Sequence, residues 1–228
     1  MKSQSKYFPY AEVWIPAGGI ELIGDLTIPP EASGIVAFAH GSGSSRHSPR
    51  NRYVAAVLQR AGLATLLMDL LTSAEEEVDD ATGELRFDIE LLAERLIRAT
   101  DWLAIDERTQ GLGIGFFGAS TGGAAALIAA SRRQAAVQAV VSRGGRPDLA
   151  LGHLAQVTIP TLLIVGGEDR AVIEMNREAY AALNCEKALE IVPGATHLFQ
   201  EPGTLERVAE LAASWFVTHL APRQPGAG

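Results

Sequence analysis

Apolar and polar residues alternate through 11–15 and again through 20–28, on either side of Ala17-Gly18-Gly19. Alternation about a glycine turn predicts an antiparallel hairpin with one face exposed. Past this point the pattern changes to short, unbroken apolar runs at 35–39, 64–68, 113–117, 139–141, 161–165 and 189–192. Such runs, bounded by breakers, predict parallel strands buried on both faces. Helix-length segments lie between them. Asn51 can cap a helix running to about Ala61, with Tyr53, Val57 and Leu58 on one face. Residues 88–103 repeat apolar positions at Ile89, Leu92, Leu96, Ala99 and Leu103, and 121–131 is small and apolar, as suits a helix against mid-sheet. Segments 174–183 and 204–220 complete the set. Strands alternating with helices predict an α/β protein whose mostly parallel, eight-stranded sheet is covered on both faces. We expect one domain over residues 1–220 and a disordered tail over 221–228.

Charge narrows the classes. The 228 residues carry a net charge of −8, which argues against a nucleic-acid partner. The acidic run Glu75, Glu76, Glu77, Asp79 and Asp80 reads as a solvated loop, and Arg46, Arg50 and Arg52 cluster earlier in the chain. Residues 1–10 lack the apolar core of a secretory signal, and no apolar run is long enough to span a membrane. The single cysteine, Cys185, rules out an internal disulfide and a cysteine-based zinc cluster. Together these predict a cytoplasmic protein using no metal and no cofactor.

Three loops past the carboxyl ends of strands carry the residues that acyl transfer needs. Gly118-Ala119-Ser120-Thr121-Gly122 joins a strand directly to a helix. A turn this tight lifts the serine hydroxyl above the sheet, at a helix N-terminus where developing negative charge is favoured. The overlapping Gly113-x-Gly115-x-x-Gly118 resembles a dinucleotide fingerprint. Its first glycines lie inside the strand, however, and no acidic residue follows before Asp148, so glycine there serves helix packing. In His40-Gly41-Ser42-Gly43 the Ser42 N–H, with that of Thr121, would form a two-donor oxyanion hole, and His40 would brace the loop. Asp169 and His197 follow later strands in the order Ser, Asp, His. His197 would take the Ser120 proton and return it to the leaving group, with Asp169 holding the imidazole tautomer. Glu168 and Asp148 compete for the acid role.

These motifs, taken in order from His40-Gly41 to His197, resemble the α/β-hydrolase superfamily, and within it the small dienelactone-hydrolase type. The resemblance implies the α/β-hydrolase fold. With only 142–160 between the sixth strand and the next, it also implies no cap domain and an open cleft for small acyl substrates. Dienelactone hydrolases carry cysteine where this chain has Ser120, which moves the expectation to a general carboxylesterase or lactonase. Its partner would be a small-molecule ester or lactone, with no membrane partner and a homo-oligomer left open. Residues 70–87 are the one segment long enough for a flap.

Arg143 and Arg146 follow the strand at 139–141 and could hold a substrate carboxylate, or pair with Asp148 or Glu168. The group Arg46, His47, Arg50 and Arg52 could steer anions. Two further readings stand beside the esterase. The same residues could serve an acyltransferase, thioesterase, amidase or peptidase, or the chain could be a non-catalytic binding protein on this scaffold.

Overall fold

A computed structural model describes residues 8–222. The expected tail lies almost wholly outside them. Eight strands form one sheet: β1 (Ala11–Pro16), β2 (Glu21–Thr27), β3 (Gly34–Ala39), β4 (Leu63–Met68), β5 (Gly113–Ala119), β6 (Val137–Arg143), β7 (Thr161–Gly166) and β8 (Lys187–Val192). Their order is β1-β2-β4-β3-β5-β6-β7-β8; β2 is antiparallel to β1 and β4, and all other neighbours are parallel. The antiparallel hairpin is present, but only β1 has the expected exposed face, with Val13 and Ile15 turned inward and Trp14 outward; β2, covered on its far side by β4, is buried from Gly24 to Thr27. β3, β4, β5 and β7 are buried along their whole length, as their continuous apolar runs require. β8 departs from that expectation. It is an edge strand, half-exposed through most of its length, and Glu190 and Lys187 suit that position.

Among the described residues seven helices accompany the sheet: α1 (Pro49–Arg60), α2 (Ser73–Thr82), α3 (Ile89–Ile105), α4 (Thr121–Arg132), the single turn α5 (Leu151–Leu154), α6 (Arg170–Ala182) and α7 (Thr204–His219). α1 and α7 pack on one face, and α3, α4 and α6 on the other. Between β6 and β7 there is only a short 3-10 turn and α5, so no cap covers the sheet. Gly113 and Gly115 lie inside β5; a Cβ on Gly115 would stand 2.7 Å from the Phe216 ring of α7, so glycine there permits close helix packing.

Three expectations need correction. α1 starts at Pro49, capped by Ser48, whose hydroxyl accepts the Asn51 N–H; proline at the first position and serine before it outcompete Asn51 as the start. Its buried face is accordingly Val54, Ala55 and Leu58, and Tyr53 is exposed. α6 begins at Arg170, four residues earlier than expected. The acidic run is helical. Thr72 and Glu75 form a reciprocal capping box and left-handed Gly83 ends α2, so local cap chemistry outweighs the charge repulsion. Asp79 turns inward to pair with Arg86, and Glu75 pairs with Arg95 at 2.6 Å.

The chain runs from β3 outward to β4, then crosses back so that β5 lies on the other side of β3. At this switch point Ala39 lies opposite Gly118. The loop after β3 and the turn after β5 therefore open side by side, where sheets of this kind place their ligands.

Candidate active site

β5 ends at Ala119 and α4 begins at Thr121, leaving Ser120 to reverse the chain at φ 51° and ψ −120°. A non-glycine residue held there costs about 1–3 kcal/mol, so its surroundings must enforce it. They do so by backbone contact. A Cβ on Gly118 would lie 2.6 Å from Gly123 Cα, and one on Gly122 would lie 2.6 Å from the His40 carbonyl oxygen. The Ser120 N–H donates to Arg143 O at 3.2 Å, and the Ser120 carbonyl accepts from Gly123 and Arg146. The hydroxyl makes no cap bond to its own helix.

Asp169 and His197 come from the loops after β7 and β8. A Cβ on Gly166 would stand 2.7 Å from the Thr196 carbonyl, and the Glu168 N–H donates to Ala195 O at 3.0 Å, which draws the two loops together. Asp169 occupies the N-cap position of α6, yet its carboxylate makes no cap bond there. It accepts instead from His197 Nδ1 at 2.6 Å. With the proton on Nδ1, the Nε2 lone pair is free to accept another. Among the described residues His197 pairs with Asp169 and with neither competing acid; Asp148 is bound instead by Arg146 through two hydrogen bonds, at 2.9 and 2.7 Å.

Ser120 and His197 line one cleft of about 190 Å³, together with the loop after β3, the start of α1 and Arg143. Among the described residues no hydrogen bond closes Ser120 Oγ onto His197. Such links in unliganded sites often form only when substrate arrives. Thr121, first residue of α4, has no intrahelical acceptor for its N–H. The Ser42 N–H is already engaged, donating to Thr121 Oγ1 at 3.0 Å. His40 is buried, accepts the Leu70 N–H at Nε2 and contacts the Gly41 carbonyl through Nδ1, as a brace should. Burial outweighs that carbonyl and the Asp69 charge, and pulls its pKa below the ordinary value.

The two arginines separate. Arg146 lies on Asp148 and does not line the cleft, so its expected substrate role is replaced by the ion pair. Arg143 is part of β6, only 5% exposed, and faces the cleft. The basic cluster also divides. Arg46 pairs with Asp25 and Asp69, and Arg52 with Asp25, which leaves Arg50 as its member in the cleft. Sequence reasoning missed Phe199. At φ 54° and buried, it anchors the His197 loop in the core, and its ring lies 5.7 Å from the Arg143 guanidinium carbon. Its signal was an apolar residue two positions past the histidine. Segment 70–87 packs beside the loop after β3, across a second cavity of about 250 Å³.

The dienelactone hydrolase family model matches residues 26–218. A crystal structure of a dienelactone hydrolase from Anabaena variabilis is 60% identical, covers 94% of this chain and 100% of its own, and superimposes with a TM-score of 0.93. The chain belongs to the dienelactone hydrolase family. Est1E from Butyrivibrio proteoclasticus shares the fold at 17% identity and a TM-score of 0.76, over 91% of this chain and 98% of its own. A Mycobacterium tuberculosis protein provisionally named a phosphoribosyl transferase is 58% identical over 94% of this chain. The chain spans 47% of that relative's length, so the transferase name describes a much longer protein than the shared region.

Proposed function

We propose that the protein is a serine hydrolase that cleaves small carboxylic esters or lactones through an acyl-enzyme. One observation carries the reading. Ser120 is held at a strained strand-to-helix turn, in the same small cleft as a histidine whose Nδ1 is fixed by a carboxylate. In this reading Ser120 Oγ attacks the acyl carbon while His197 Nε2 takes its proton, and the C–O bond breaks as His197 returns that proton to the leaving oxygen. Water then repeats the sequence on the acyl-enzyme, releasing the acid and free Ser120. Asp169 stabilises the imidazolium that forms in each half. The Thr121 N–H, at the positive end of α4, receives the developing oxyanion. Ser42 supplies the second donor once its N–H leaves Thr121 Oγ1 for the stronger acceptor.

The test is turnover of short p-nitrophenyl esters. Ser120→Ala and His197→Ala should each lower kcat by about 10³-fold or more. Unchanged hydrolysis in Ser120→Ala would remove the assignment.

A further inference from the structure

Two arginines face the cleft, and among the described residues neither meets a carboxylate. Arg143 is nearly inaccessible; its Nε has no hydrogen-bond partner, and the guanidinium reaches only Asn51 Oδ1, at 3.5 Å. Burial and the neighbouring Arg50 charge bring its pKa down to about 10, which still leaves it charged at neutral pH. Arg50 Nε is likewise buried without a partner. No acidic residue lines the cleft, and the first turn of the twelve-residue helix α1 opens into it through Arg50 and Asn51. A buried cation without a counter-ion is costly, and Arg143 is one; half-buried Arg50 stands beside it at the positive end of a helix. The salt bridges elsewhere in the molecule show how readily its other arginines find carboxylates; Arg46 alone contacts three.

We propose that Arg50, Arg143 and the N-terminus of α1 form an anion subsite beside Ser120, which binds a phosphoryl group carried by the ester substrate away from the bond that is cleaved. Two guanidinium charges and a helix end favour a dianion over a single carboxylate, and tetrahedral oxygens can meet donors from both arginines at once. The proposal rests on the hydrolase reading only in treating that anion as part of a substrate. Binding itself is independent of turnover.

The experiment is calorimetric titration of the whole protein with inorganic phosphate, with acetate as the single-charge control, backed by thermal melts. Phosphate should bind the wild type and Ser120→Ala alike, and acetate at least about tenfold more weakly. Arg50→Gln should weaken phosphate by about tenfold or more, the loss of a charge-assisted hydrogen bond. Arg143→Met should lose phosphate binding while its melting temperature without phosphate is unchanged or raised, because it removes an unpaired buried charge. Phosphate affinity unchanged in both arginine variants would overturn the subsite. Acetate binding as tightly as phosphate would overturn the choice of a phosphoryl group. A wild type that binds phosphate but hydrolyses no ester would leave the subsite standing and remove the hydrolase reading alone.

Discussion

At the scale of single residues, the site is held by places where a side chain would not fit. Gly122 is the clearest, because a Cβ there would run into the backbone carbonyls of Ala39 and His40. Backbone at a switch point cannot yield as a flexible side chain can, so Gly122→Ala should cost more than about 3 kcal/mol of stability, measured by urea unfolding. A cost near zero would mean that the turn after β5 and the loop after β3 are not in contact. His40 makes a second prediction. Unfolded, it takes up a proton near its ordinary value of 6.5, and in the fold its pKa is lower. The unfolded chain therefore binds more protons in that interval, so the His40 contribution is intact above pH 6.5 and is lost as pH falls through it toward the folded value. Melting temperatures of wild type should fall more steeply below about pH 6.5 than those of His40→Gln. Parallel curves would show that His40 is not buried neutral.

At the scale of elements, legibility followed how local the determining chemistry is. The strands β3, β4, β5 and β7 could be read from apolar runs because burial on both faces leaves a continuous pattern. Helix starts were misplaced where a cap decided them. Ser48-Pro49 fixes α1, and the Thr72–Glu75 capping box makes a helix of an acidic run that composition alone assigns to solvent. Thr72→Ala should remove the box and cost about 1 kcal/mol, seen as faster amide exchange over 73–76. Unaltered exchange there would mean that α2 is held instead by the Arg95–Glu75 and Arg86–Asp79 pairs. The placement of Ser120, Asp169 and His197 past strand ends was legible from identity and position, and the structure puts Ser120 and His197 in one cleft with Asp169 on the imidazole. The site was illegible where partner choice decides. Arg143 and Arg146 are three residues apart, yet Arg146, in the loop, is taken by Asp148 two residues on, and Arg143, buried at the end of β6, meets no carboxylate.

At the scale of the whole molecule, the crossover at β3 accounts for the convergence of the site. Residues 40–45, 118–122, 166–169 and 193–197 lie far apart in sequence but all lie at the carboxyl ends of the parallel strands β3, β5, β7 and β8. Helices cover both faces and leave those strand ends open, no cap-sized segment lies between β6 and β7, and a small cleft opens there beside Ser120. Membership of the dienelactone hydrolase family follows from the match over residues 26–218, whereas the proposal that serine is the nucleophile rests on this chain's own turn. The most direct measurement is covalent labelling with a small alkyl fluorophosphonate, followed by peptide mass spectrometry. One adduct per chain is expected, on Ser120, absent from Ser120→Ala and formed far more slowly in His197→Ala. No adduct at Ser120, or labelling that persists in Ser120→Ala, would contradict the proposed nucleophile.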